Sequence, residues 1–184
     1  MRIIGGRLKG RILQGPANLA IRPTSDRLRE TIFNILAHAY DHRVEGAAVL
    51  DLFAGTGAMG IEALSRGAHH VLFVDQGREA CALIAANTEA LGLAECSQIL
   101  RRDARKMGKA TEKFTLAFLD PPYGRGFVTP ALTALCDGGF LAPGALILIE
   151  ESTATKLSIP DNFIVRDMRQ FGETQILFVT FEPL

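Results

Sequence analysis

The chain is poor in cysteine, has no long apolar run and carries no net charge. Each deficiency argues against a class of function. Three cysteines, Cys81, Cys96 and Cys136, occur in 184 residues. They are scattered, odd in number and lack Cys-x-x-Cys spacing, which argues against both a disulfide framework and a zinc site. His69 and His70 open a strand-like run and would point to opposite faces, poor geometry for a shared metal. The uncharged apolar stretches are far too short to span a bilayer, and Met1-Arg-Ile-Ile-Gly-Gly-Arg7 lacks the apolar core of a secretory signal. No internal repeat or low-complexity segment is visible, and nothing in the chain demands a partner subunit. The expectation is a cytoplasmic, metal-free monomer without a membrane anchor.

What is present is a globular composition, 48% hydrophobic and 22% charged, sufficient for one domain with a full core and at most a small appendage. The zero net charge conceals a segregation. Residues 1–43 hold eight bases against three acids, and residues 101–113 six against two. Residues 44–100 hold two bases against seven acids, and 114–184 four against eight. Two basic blocks between acidic segments suggest a polyanion footprint.

Residues 2–14 alternate around Gly5-Gly6 and Gly10, which predicts a glycine-bearing hairpin outside the main sheet. After a loop with Pro16 and Pro23, helical spacing of Leu28, Ile32, Ile35, Leu36 and Ala39 predicts a helix over 26–40, capped by Thr24 or Ser25. From Ala47 onward, short apolar runs at 47–53, 71–75, 97–101, 115–120 and 145–150 alternate with helical stretches near 58–66, 78–92 and 127–137. This pattern predicts an α/β doubly wound, mostly parallel sheet. The runs 162–171 and 175–181, joined by Gly172-Glu173-Thr174, predict a C-terminal antiparallel hairpin. The chain divides into an N-terminal extension, 1–43, and a main domain, 44–184.

Two loops carry the chemistry. Asp51-Leu-Phe-Ala-Gly55-Thr-Gly57-Ala-Met-Gly60 closes the first core strand and opens a helix, and its glycines let the backbone approach a ligand. Asp75 follows Gly55 by twenty residues, where a ribose-binding acid would fall. This pattern alone does not separate a nicotinamide cofactor from S-adenosyl-L-methionine. Asp51 favours the latter, since a carboxylate before the loop suits an ammonium better than a pyrophosphate. Asp103, beside Ala104, is placed for an adenine amine. The second loop, Asp120-Pro121-Pro122-Tyr123, leaves a buried strand at its carboxyl end, the edge where open α/β sheets bind ligands. An acid, stiff proline carbonyls and a flat ring suit an amine-bearing base held while its nitrogen reacts.

Met1-Arg-Ile-Ile-Gly-Gly-Arg-Leu-Lys-Gly-Arg11, Arg22-Pro-Thr-Ser-Asp-Arg-Leu-Arg-Glu-Thr-Ile-Phe-Asn-Ile-Leu36, the 51–67 loop and helix, and Asp120-Pro-Pro-Tyr123 together resemble the RsmD family, bacterial 16S ribosomal RNA (guanine-N2)-methyltransferases. The resemblance implies a Rossmann-like class I methyltransferase fold with a seven-stranded sheet, S-adenosyl-L-methionine as cofactor, and 16S ribosomal RNA or the small ribosomal subunit as partner. It implies a cofactor site at Asp51, Phe53, Ala54, Gly55, Thr56, Gly57, Asp75, Asp103, Ala104 and Asp120, and a catalytic set of Asp120, Pro121 and Tyr123. The basic extension would hold RNA phosphates through Arg7, Lys9, Arg11, Arg22 and Arg27. Arg27 and Glu30 suit RNA or cofactor equally. Rival readings are an adenine-N6 methyltransferase on DNA or RNA, a non-catalytic RNA-binding assembly module and, more remotely, a dehydrogenase. The four-residue turn does not itself discriminate guanine N2 from adenine N6.

Overall fold

Apolar runs of five or six residues bounded by glycine and charged residues form the central strands of a seven-stranded sheet. In a computed structural model, which describes residues 1–15 and 25–183, the elements are α1 (Asp26–Ala39), β1 (Ala48–Leu52), α2 (Ala58–Ser65), β2 (His70–Asp75), α3 (Arg78–Ala90), β3 (Ser97–Arg101), β4 (Phe114–Leu119), α4 (Val128–Gly138), β5 (Leu141–Ser152), β6 (Phe163–Phe171) and β7 (Thr174–Phe181). Spatial order is β3-β2-β1-β4-β5-β7-β6. The first five strands are parallel, whereas β7 is antiparallel to both β5 and β6.

Alternation along the strands separates two cores. Val49, Phe73, Phe118, Leu148 and Phe178 pack under Ile32, Phe33 and Leu36 of α1, Ile61 and Leu64 of α2, and Ile84 of α3. Leu50, Leu52, Ala117, Leu119, Ile147, Ile149, Leu177 and Val179 face the other way, toward Val128, Ala131, Leu132 and Leu135 of α4. The sheet is therefore covered on both faces, as a parallel sheet requires. Among the described residues, no helix is long and apolar enough to cross a membrane.

Ser25 caps α1 by accepting the Leu28 N–H at 3.1 Å; Arg22, Pro16, Pro23 and Thr24 lie outside the described residues. The terminal hairpin is tighter than the sequence suggests. Phe171 pairs with Thr174, so only Gly172 and Glu173 form the loop, with Gly172 at φ 61°, the left-handed conformation such loops favour.

The N-terminal hairpin is present in reduced form. One bridge, Arg2 to Ile12, joins its arms around a 3-10 turn at Gly6–Leu8. The ladder stops early because its backbone donors go elsewhere. Ile4 and Gly5 N–H donate to Glu62 at 2.9 and 2.8 Å, and Leu8 N–H to Ser65 Oγ at 3.0 Å. Gly6 adopts φ 73°, and a Cβ there would lie 1.9 Å from the Ser65 carbonyl. The arm is thus laid along α2, and its Ile3 and Leu13 enter the same core as α1.

Arg29 belongs to that anchorage. It is 0% exposed and donates to the Arg2 carbonyl at 2.5 Å and to Asp26 at 2.8 Å. Its guanidinium lies 3.5 Å from buried Glu62, which Arg66 also contacts at 2.8 Å. One of the eight bases of the first block is therefore internal and unavailable to a polyanion.

Candidate active site

The carboxyl edge of the five parallel strands carries a carboxylate at or just beyond each strand: Asp51, Asp75, Asp103, Asp120 and Glu150. All five line one cavity of 1120 Å³, together with Phe53, Ala54, Gly55, Thr56, Ala104, Pro121, Tyr123 and Arg27. Every sequence-predicted cofactor and catalytic residue except Gly57 thus borders one space.

The β1 end is organised by backbone amides. Phe53 is held at φ 56°, a conformation that costs a non-glycine residue about 1–3 kcal/mol. Gly57, at φ 76°, is the left-handed N-cap of α2. It points inward, where a Cβ would meet Ile84 and Phe73 at 3.1 and 3.4 Å. Its contribution is loop shape, which explains its absence from the cavity wall. Asp51 is 3% exposed and accepts the Gly60 N–H at 2.9 Å, tying the strand to the first turn of α2. Burial pushes its carboxyl up to about 7; the Gly60 N–H opposes this and Asp75 adds to it. A cationic ligand beside it would restore the charge that burial disfavours.

Asp75 clamps two loops. One oxygen accepts the Gly55 N–H at 2.9 Å, the other the Gly77 N–H at 2.7 Å. A Cβ on Gly77 would lie 3.1 Å from Asp75, so Gly77 permits this close approach. The sequence offers no separate signal for that residue. Asp103 is gripped by Arg105 through Nε and Nη2 at 2.9 and 2.7 Å. This pairing holds its carboxyl below the usual range. Arg105 in turn lies 4.0 Å over the Phe127 ring, which stacks on Phe53. Arg105 therefore spends its charge on Asp103 and an aromatic face, while Arg102 donates to the Met107 carbonyl at 2.8 Å.

The β4 end is organised by side chains from distant strands. Asp120 N–H reaches the Leu52 carbonyl at 3.5 Å. Tyr123 Oη donates to Glu150 Oε1 at 2.6 Å and lies 3.1 Å from Thr174 Oγ1. Burial and the Glu150 carboxylate push its hydroxyl above the ordinary tyrosine value, so it remains a donor at neutral pH. Next door, Gly124 N–H donates to fully buried Glu151 at 3.0 Å. Glu150 and Thr174, which line the cavity, and Glu151, which holds the turn, were not singled out by the sequence. A usable signal was present: Glu150 stands at the end of an apolar strand, as the four recognised acids do.

Arg7, Lys9 and Arg11 are exposed on the N-terminal arm. Arg27 borders both the main cavity and a smaller groove lined by Arg2, Lys9 and Glu30; Glu30 borders only the groove. Among the described residues, no group of three or more His, Cys, Asp or Glu side chains is placed to hold a metal.

A 3-2-1-4-5-7-6 sheet with antiparallel β7, a glycine loop after β1 and an acid–proline–proline–aromatic turn after β4 define a class I S-adenosylmethionine-dependent methyltransferase. Known proteins agree at the level of sequence. The family model described as "Conserved hypothetical protein 95" matches residues 1–180, and the chain belongs to that family, the RsmD family. It is 35% identical over 176 residues to Ribosomal RNA small subunit methyltransferase D of Haemophilus influenzae, covering 94% of this chain and 89% of that protein. The protein of the same name from Escherichia coli K12 is 33% identical over 174 residues, covering 94% and 86%. Among solved structures, yhhF of Escherichia coli has a TM-score of 0.85 at 32% identity, covering 100% of this chain and 99% of its own. An RNA methyltransferase from Salinibacter ruber, solved with S-adenosyl-L-homocysteine, shares the fold at TM-score 0.67 and 13% identity, covering 89% and 95%.

Proposed function

We propose that this protein methylates the exocyclic N2 of a guanine in 16S ribosomal RNA, acting on the RNA itself or on an assembling small subunit. The observation that carries the reading is the single cavity in which the glycine-loop residues and Asp120-Pro-Pro-Tyr123 meet, in a chain whose named relatives are ribosomal RNA small subunit methyltransferases. A ribosomal substrate would place the enzyme in the cytoplasm.

The residues present suit S-adenosyl-L-methionine. Buried Asp51 favours a cation, Asp75 and Asp103 offer acceptors for hydroxyl and amine groups, and Phe53 and Ala104 provide apolar walls. When bound, that cofactor would supply an electrophilic sulfonium methyl to the N2 lone pair, with a neutral thioether as the leaving group. Asp120 and the Pro121 carbonyl accept the two N2–H bonds of guanine. They thereby direct toward the methyl a lone pair otherwise delocalised into the ring. Fixing the amine in line supplies much of the remaining acceleration. Methylation makes the nitrogen acidic, so its proton leaves afterward without a strong base. The Tyr123 ring stacks on the base, which must be turned out of its RNA context to enter the cavity. Residues 1–43 serve as the RNA-holding extension of the 44–184 domain, with Arg7, Lys9, Arg11, Arg22 and Arg27 toward phosphates.

The test is incubation of the protein with methyl-labelled S-adenosyl-L-methionine and free 16S RNA, small subunits lacking the modification, or DNA, followed by nucleoside analysis. N2-methylguanosine from one of the RNA substrates is expected. N6-methyladenosine would replace this reading with the adenine one, and absence of transfer to all three would favour the assembly module.

A further inference from the structure

The catalytic turn alone leaves guanine and adenine undistinguished, but its neighbour in the sheet does not. Leu119 and Ile149 are register partners across β4 and β5. One residue further on, Asp120 has just left β4 while Glu150 is still within β5, paired with Ile176 of β7, and both line the same cavity. Tyr123 donates to Glu150 Oε1 at 2.6 Å, so the carboxylate is fixed beside the ring proposed to stack on the base. Thr174, on the next strand, holds the same hydroxyl from its other side at 3.1 Å.

We infer that Glu150 reads the Watson–Crick edge of the target base and makes the site select guanine over adenine. This inference rests on the guanine-N2 reading above. When the reactive amine is held by Asp120 and Pro121 with N1 turned toward β5, the atom beside the amine faces Glu150. In guanine that atom is an N1–H donor, and in adenine it is an N1 lone pair. An ionised carboxylate only accepts, so it bonds the first and repels the second. Its oxygens together offer about four acceptor positions, so holding Tyr123 is compatible with receiving N1–H. Facing the wrong base, this half-buried carboxylate meets a lone pair in place of a donor, and sites built on such a bond reject analogues lacking the partner strongly. The long-range tie to Tyr123 makes the two functions one unit: the stacked ring sets the plane of the base and the carboxylate reads its edge.

The test uses full-length protein and small subunits reconstituted with 16S RNA carrying guanine or 2-aminopurine at the mapped target. Both bases present the C2 amine, but 2-aminopurine has a lone pair at N1. Wild-type protein should prefer guanine. Glu150→Gln should lower guanine methylation about 10- to 100-fold, the size of a hydrogen bond to a charged group, and shrink the guanine preference at least about tenfold, because its amide can donate to N1. Glu150→Ala, which removes the repulsion without adding a donor, should shrink the preference as well. Tyr123→Phe, which leaves the carboxylate and removes only its tether, should shrink the preference less than either Glu150 variant. A guanine-to-2-aminopurine ratio unchanged in both Glu150 variants, with N2-methylguanosine still the product, overturns this inference alone and reduces Glu150 to a support for Tyr123. N6-methyladenosine as the wild-type product overturns the guanine reading and this inference with it.

Discussion

The two halves of the carboxyl edge are built by opposite means. At β1 and β2 the carboxylates are captured by glycine backbone amides: Asp51 by Gly60 nine residues on, and Asp75 by Gly77 two residues on and by Gly55 twenty residues back. At β4 the turn is held by side chains 27 and 51 residues away, through Tyr123 to Glu150 and Thr174 and through Gly124 to Glu151. The first half is shaped by glycine backbone in the loops after two adjacent parallel strands. The second exists only once β5 and the β6–β7 hairpin have paired. A loop-shaped half suits an invariant cofactor, while a half assembled from separate strands can be retuned for its substrate one side chain at a time.

The largest effect that would sharpen this contrast is at Asp120. Asp120→Ala should lower methyl transfer at least about 10³-fold, the scale of losing a charged group aimed at a reacting centre, while cofactor affinity measured by calorimetry stays within about threefold. A variant with near-normal turnover would remove the division of labour between the halves.

The division also explains what could be read from sequence. The glycine loop is legible because its function is local: residue type and spacing already dictate the turn and the helix start. The Asp120-Pro-Pro-Tyr123 turn is legible for the same reason, but its surroundings are not, since no local pattern ties Tyr123 to Glu150 across 27 residues. Gly57 matches the motif yet faces the core, because the spacing does not say which glycine meets a ligand and which only permits the turn. Arg29 misleads in the opposite sense. It adds to the basic block in the sequence, whereas in the fold it is sealed between the arm, α1 and Glu62. Sequence periodicity placed every strand and helix of the main domain within a few residues. The extension deviates because the N–H groups of Ile4, Gly5 and Leu8 bind α2 side chains rather than the facing arm.

The next effects fall on the cofactor half. Asp51 carries a carboxyl raised by burial to about 7, and a cationic ligand binds best to its ionised form. Cofactor affinity of the wild type should therefore rise with pH through about 7 and level off above it. Asp51→Asn should lose about 10- to 100-fold in affinity at pH 8 and flatten that dependence. Stability runs the other way. Between the ordinary value of 3.8 and about 7 the folded protein holds a proton that the unfolded chain has released. The stability this group contributes is thus complete below about pH 4 and is lost as pH rises through about 7. Calorimetric binding and thermal melting across pH 5–9 check both signs, and affinity independent of pH would locate the cation elsewhere.

Outside both halves, the arm should govern RNA affinity without touching chemistry. Reversing Arg7, Lys9 and Arg11 to Glu should lower RNA affinity roughly tenfold at physiological salt. It should also reduce the salt slope by about 2, the share of three contacts to single-stranded phosphates. Turnover at saturating RNA should be retained. An unchanged slope would move the footprint off the arm, toward Arg27 and its groove.

The smallest effect probes the tie between β4 and the hairpin most directly. Tyr123→Phe keeps the ring and removes the hydroxyl that bridges Glu150 and Thr174. If the ring carries stacking and the hydroxyl only steadies it, turnover should fall about 2- to 10-fold, the range for one neutral hydrogen bond or a modestly charge-assisted one. Tyr123→Ala should fall much further, since stacking on a base is worth about 1–3 kcal/mol. Single-turnover rates on the same subunits measure both. A Phe variant as impaired as the Ala variant would mean that the long-range tie, rather than the aromatic face, positions the base. The substrate half would then be a hydrogen-bonded device throughout, like the cofactor half, differing only in the length of chain its bonds must span.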